Sequence, residues 1–118
     1  MSKHNEIGTN GELLAVNFLK NKGFIILETN WRSGKKEIDI IVENDETIIF
    51  VEVKTRSNFN FGFPEEAVSE TKKSFLKIAA EDYFIKNNCN KDIRFDVISI
   101  IQRGKTAAEI IHFEDAFF

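Results

Sequence analysis

Three side chains near the middle of the chain have the types and spacing needed to hold a divalent cation against a phosphodiester. They are Asp39 and, on the next apolar run, Glu52 with Lys54 two residues on. Residues 37–43 (Glu-Ile-Asp-Ile-Ile-Val-Glu) alternate as a half-buried strand does, and 46–54 (Glu-Thr-Ile-Ile-Phe-Val-Glu-Val-Lys) form a second strand. The short link at Asn44-Asp45 predicts an antiparallel hairpin. Alternation puts Glu37, Asp39 and Ile41 on one face, and Ile48, Phe50, Glu52 and Lys54 on the matching face of the partner. Asp39 then lies opposite Glu52 or one pair along.

Two carboxylates held together in a partly dry site repel each other, and a divalent cation removes that cost. All-oxygen donors suit a hard ion, and Mg²⁺ is commonly held by one or two carboxylates plus substrate phosphate. An ammonium beside them orients an attacking water or stabilises charge developing on phosphorus. The same face carries Ile41, Ile48 and Phe50, so a helix is expected over the turn end, with the charges at its margin. The plainer alternative is a solvated hairpin face with a cross-strand ion pair worth about 0.2–1 kcal/mol. Spacing alone does not separate the two.

The elements that must position these groups read as α-β-β-β-α-β-β. Residues 9–22 predict a helix, with Thr9 and Glu12 at capping-box spacing and Leu14, Ala15, Phe18 and Leu19 at helical intervals. Gly23 stands where a left-handed residue ends a helix. Phe24–Leu27 reads as a strand covered on both faces, and Trp31–Lys36 as a polar turn with a basic tip. Pro64, Glu65 and Glu66 look like the first turn of a short helix. Ser69 is the expected cap of a helix over 70–87, with Phe75, Ile78, Ala79, Ala80 and Tyr83 as its buried stripe. Strands are expected at 93–101 and about 109–113. The fold class is α/β, a two- or three-layer sandwich of a hairpin-based sheet and helices.

The chain's 118 residues suit one domain spanning 1–118, and twelve phenylalanines suggest an aromatic-rich core. The N-terminal residues lack the apolar run of a signal peptide, and no stretch approaches the roughly 18–20 apolar residues of a membrane span. Cys89 is the only cysteine, which excludes an internal disulfide and fits a reducing cytoplasm. A net charge of −3 argues against a polycationic nucleic-acid coat. It does not argue against an enzyme of nucleic acid, because a bound ion reverses the local sign of its carboxylates.

The runs Glu37-Ile-Asp39-Ile-Ile and Phe50-Val-Glu52-Val-Lys54-Thr-Arg56 resemble the PD-(D/E)xK nuclease core. Gly8-x-x-Gly11-Glu12-x-x-Ala15, Gly23-Phe24, Asn30-x-Arg32, Ala67-Val68-Ser69-x-x-Lys72 and Arg94-Phe95-Asp96-Val97 extend the likeness over nearly the whole chain. Together they resemble the YraN family of predicted bacterial endonucleases, which are similar to archaeal Holliday-junction resolvases. Lys36 departs from the pattern, which usually has glycine there.

The resemblance implies a restriction-endonuclease-like core, a mixed sheet flanked by helices. It also implies metal binding (Mg²⁺ or Mn²⁺) by Asp39 and Glu52, a catalytic Lys54, and a further catalytic carboxylate, Glu12, from the first helix. The expected activity is metal-dependent cleavage of DNA, with branched or structured DNA among the candidate substrates. The alternative is a weak or inactive nucleic-acid-binding module that keeps the nuclease fold. Glu37 reads as a flanking charge.

Arg32, Lys35, Arg56 and Lys72 are the candidates for backbone phosphate contact, Lys72 because it matches a family position. Lys73 and Lys77 read better as a solvated helix face, and neither His4 nor His112 reads as a ligand. A homodimer is plausible by analogy with enzymes that cut two equivalent strands, and Phe117 and Phe118 are expected either to dock into the core or to meet a second subunit.

Overall fold

The structure is a computed structural model that describes residues 3–56, 68–102 and 107–118. The elements follow the expected order: α1 (Lys3–Asn21), β1 (Ile25–Ser33), β2 (Lys36–Glu43), β3 (Thr47–Arg56), α2 (Glu70–Lys86), β4 (Asp92–Ile101) and β5 (Glu109–Phe113). The expected turn of helix at Pro64–Glu66 lies outside the described residues.

The five strands form one mixed sheet in sequential order. β2 is antiparallel to both β1 and β3, β3 and β4 are parallel, and β5 is antiparallel to β4. A parallel neighbour requires a crossover, which α2 supplies. Leu76, Ala79, Ala80 and Tyr83 of α2 share one core with Phe50, Phe95 and Val97. Ala15 and Leu19 of α1 share the other with Ile40, Ile49, Val51, Ile98 and Ile100. A helix on each face makes three layers, and this explains the continuous apolar runs of β2 and β3, since a strand covered on both sides buries every residue.

α1 begins at Lys3, so Thr9 lies inside the helix and cannot cap it; the capping-box reading of Thr9 and Glu12 does not hold. The other end is as expected. Gly23 takes φ +95, and the Phe24 N–H donates to the Leu19 carbonyl at 3.1 Å, the 6→1 bond of a Schellman stop. Ser69 caps α2, its hydroxyl accepting from the Lys72 N–H at 3.1 Å.

Three other expectations are corrected. The first strand starts at Ile25 rather than Phe24 and lies on the sheet edge: Ile26 packs on the α1-side core and Leu27 on the α2-side core, so both faces are covered there, but only partly, and Ile25 is exposed. It also runs on through Trp31 to Ser33, leaving only residues 34–35 as the turn, because Trp31 pairs with Ile38 and packs edge-on against Tyr83. On α2, Phe75 and Ile78 are about half exposed at 47% and 51%. The buried stripe is Leu76, Ala79, Ala80 and Tyr83, one position round the helix, and Phe75 instead receives the Lys36 ammonium over its ring.

Candidate metal centre

β2 and β3 pair from Glu43 with Ile48 to Ile40 with Val51. Beyond that point β3 stays on β4, paired as far as Arg56 with Ile101. The two hairpin strands therefore fork at Asp39 and Glu52. Asp39 fills the fork: its Oδ2 accepts from the Val53 N–H at 2.8 Å, a donor that the β2 ladder no longer serves.

Strict alternation along β2 fails here. Ile38 belongs with Ile41 to the α2-side core, while Ile40 and Val42 belong to the α1-side core. The alternation slips between Ile38 and Ile41, so Glu37 and Asp39 do not share a face with Ile41 as period two requires. The slip turns Asp39 out of its expected face and into the fork. Across β1, the register places Asn30 opposite Asp39, and Asn30 takes the left-handed conformation at φ +51.

Glu12 comes from α1. Helix and sheet approach so closely that a Cβ on Gly11 would stand 2.3 Å from Thr55 Oγ1. Only glycine permits that contact, and the next residue, Glu12, is thereby delivered to the fork. One carboxylate oxygen from each of Glu12, Glu37 and Asp39 lies within 4.8 Å of the others. Glu37, read from the sequence as a flanking charge, is therefore part of the acid cluster. Its i, i+2 spacing from Asp39 was the available signal.

Glu52 approaches from β3 and is only 5% exposed. Its Oε1 meets two ammonium groups, Lys54 Nζ at 3.5 Å and Lys72 Nζ at 3.7 Å. Its Oε2 is buried and has no hydrogen-bond partner among the described residues, and the same holds for the hydroxyl of Ser99, which pairs with Lys54 across β3 and β4.

Electrostatics follow from this crowding. Burial, then the charge of Asp39, pushes the Glu52 carboxyl up to about 7 against the pull of Lys72 and Lys54. Burial also raises Asp39, opposed by the Val53 N–H and by Lys72. Glu12 is raised by burial and by Asp39, while a hydrogen bond from the Asn30 side chain works the other way. Carboxyls that resist ionisation together, with no sulfur or imidazole among them and one buried oxygen unpartnered, form a donor set that fits a hard divalent cation. Glu12, Glu37 and Asp39 are the acids whose oxygens lie close enough to share one ion; Glu52, which feels the charge of Asp39 and is held by Lys54 and Lys72, lies outside that trio.

The expected phosphate contacts divide. Lys72 reaches into the centre through Glu52. Arg32 is exposed and pairs with Glu37 at 3.3 Å, at the margin of the cluster. Lys35 sits exposed in the β1–β2 turn, and Arg56 ends β3. Away from the centre, the buried Asp96 accepts from Arg94 Nε at 2.8 Å and Nη2 at 2.9 Å, pairs with His112 Nε2 at 2.7 Å, and accepts from the Asp115 N–H at 2.9 Å. His112 thus serves a structural network, and Arg94-Phe-Asp96 of the family-like motif is its anchor.

A family model for uncharacterised protein family UPF0102 matches residues 11–100, a span that includes every candidate ligand. A UPF0102 protein of Flavobacterium psychrophilum is 46% identical over 118 residues, covering 100% of this chain and 98% of that one. A UPF0102 protein of Clostridioides difficile is 49% identical over 113 residues, covering 95% and 96%. One of Phocaeicola vulgatus is 41% identical, covering 100% and 97%. With a model match over most of the chain and near full-length identity on this scale, the chain belongs to the UPF0102 family.

Proposed function

We propose that this protein is a metal-dependent endonuclease of the PD-(D/E)xK type that hydrolyses phosphodiester bonds in DNA, with Mg²⁺ or Mn²⁺ held by Asp39 and Glu52. The observation that carries this reading is the fork between β2 and β3. It gathers Asp39, Glu52, Lys54, Glu12 and Lys72, from four separate elements, around one buried and incompletely satisfied carboxylate.

A bound divalent cation supplies Lewis acidity to the scissile phosphate and to the attacking water. The chain's own residues do the rest. The Val53 N–H holds Asp39 in one orientation, so its outer oxygen is pre-positioned as a ligand. Glu52 holds the Lys54 ammonium at its own oxygen, which places a donor where water or a phosphate oxygen would sit. Lys72 supplies a second positive charge for the phosphate, and Arg32 and Arg56 lie on the elements that leave the fork. Glu12, drawn in by the Gly11 contact, adds a carboxylate able to position water or to share the ion.

The test uses purified chain with Mg²⁺ or Mn²⁺ against linear, flap and four-way DNA. Cation-dependent cleavage is expected, with Asp39→Ala and Glu52→Ala each abolishing it. Cleavage that survives both substitutions overturns the assignment. Salt-sensitive DNA binding without cleavage on any substrate would replace it with a binding module.

A further inference from the structure

Lys72 occupies a position that a phosphate contact alone does not explain. It stands in the first turn of α2, where its backbone N–H is fixed by the Ser69 cap. Its Nζ shares Glu52 Oε1 with Lys54, while Oε2 of the same carboxylate is buried without a partner among the described residues. Two lysines thus converge on the buried Glu52, next to the half-buried Asp39. Without any ion, these two ammonium groups offset part of the charge of Glu52 and of the Glu12, Glu37 and Asp39 cluster beside it.

We propose that Lys72 is an internal counter-cation of the acid pair, released by entry of a divalent cation to bind a DNA phosphate. The proposal rests on the reading of the fork as a metal centre and adds an order to it: cation first, nucleic acid second. The physical reason is competition for one carboxylate. A divalent cation held on Glu52 takes up the oxygen charge that Lys72 Nζ draws on at 3.7 Å, and repels an ammonium that close.

Lys54 is the less able to leave. It lies two residues from Glu52 on the same strand, so the backbone holds the two side chains side by side. Lys72 hangs from a separate element, makes the longer contact, and its side chain is 38% exposed. A flexible four-carbon stem then carries its ammonium to the margin of the fork, where a backbone phosphate would lie. Release therefore converts a charge spent on Glu52 into one available to substrate, and DNA affinity becomes coupled to cation binding.

Two measurements on the full chain test this. In the first, lysines are acetylated under limiting reagent with and without saturating Ca²⁺, and each site is quantified by mass spectrometry. Lys72 labelling is expected to rise several-fold with Ca²⁺, while Lys73, paired with Glu70 on the surface, stays constant. In Glu52→Gln, Lys72 should label at the high rate without the ion.

In the second, binding to a synthetic four-way DNA junction is measured across a salt series for the parent and for Lys72→Met. In Ca²⁺ the substitution should weaken binding and reduce the salt slope by about 1, as loss of one phosphate contact does. In chelator the two proteins should bind alike. Calorimetry of Ca²⁺ binding on the same sample separates the failures. A chain that binds no Ca²⁺ overturns the metal reading and this proposal together. Ca²⁺ binding with unchanged Lys72 labelling, or an equal loss of DNA binding with and without the ion, overturns this proposal alone.

Discussion

Glu52 is under opposing demands: the hairpin buries it, yet the ligand role proposed for it requires an ionised carboxylate. Burial and Asp39 hold its carboxyl at about 7 in the folded chain, against an ordinary 4.5. Between those values the folded state binds more protons than the unfolded one, so stability without metal falls as pH rises and the cost is complete above about 7. In chelator, the thermal midpoint should therefore drop as pH is raised from about 5 to about 8, and Glu52→Gln should flatten that drop. Scanning calorimetry reads both. Saturating Mg²⁺ at the upper pH should restore the midpoint in the parent and leave Glu52→Gln nearly unmoved, because only a folded, deprotonated site binds the ion.

At the scale of elements, the contact that matters most for the centre is α1 on β3. Gly11 lets the helix approach until Thr55 Oγ1 occupies the space of a side chain. Gly11→Ala should cost about 1–3 kcal/mol in chemical denaturation, as overpacking does, and displace Glu12 from the fork. Removing the obstructing hydroxyl with Thr55→Ala in the same chain should recover much of that loss. If the single variant is as stable as the parent and equally able to bind Mn²⁺, the close approach does not position Glu12. The slip in β2 belongs to this scale too. Ile38 and Ile40 lie in different cores although period two puts them on one face. A fork needs one strand to leave the ladder, and the slip is how β2 does so.

Across the whole molecule, the C-terminal segment is closed onto the sheet by the Asp96 network. Burial alone would raise the Asp96 carboxyl, but His112, Arg94 and the Asp115 N–H more than compensate and hold it below its usual value. Lys22 of the α1 turn reaches His112 Nδ1 at 2.9 Å, so the network also ties the first helix to β5. The tail continues with the Ala116 N–H on the Phe95 carbonyl and with Phe117 stacked on the Phe95 ring, while Phe118 stays 65% exposed under Lys77. Phe117 thus docks into the core, one of the two outcomes expected for it. Asp96→Ala strands a mostly buried arginine, and should lower stability by about 3–5 kcal/mol in urea denaturation. No helix among the described residues is long and apolar enough to cross a membrane.

The order of elements, the hairpin, the end of α1 and the start of α2 were legible in the sequence, because they depend on local chemistry: alternation in 37–43 and 46–54, Gly23 after an apolar-striped helix, Ser69 before another. The hairpin register was legible as well, and the ladder ends one step before Asp39 meets Glu52, but the common face that strand period gave Asp39, Ile41 and Glu52 is lost where β2 slips between Ile38 and Ile41. What local rules could not supply is whatever depends on a second element. That includes the start of α1 before Thr9, the burial of Leu76 in place of Phe75, the entry of Glu37 into the acid cluster, and Lys72 sharing an oxygen with Lys54. Each is decided by what packs across the sheet, and a strand's own period carries no information about when its neighbour will diverge.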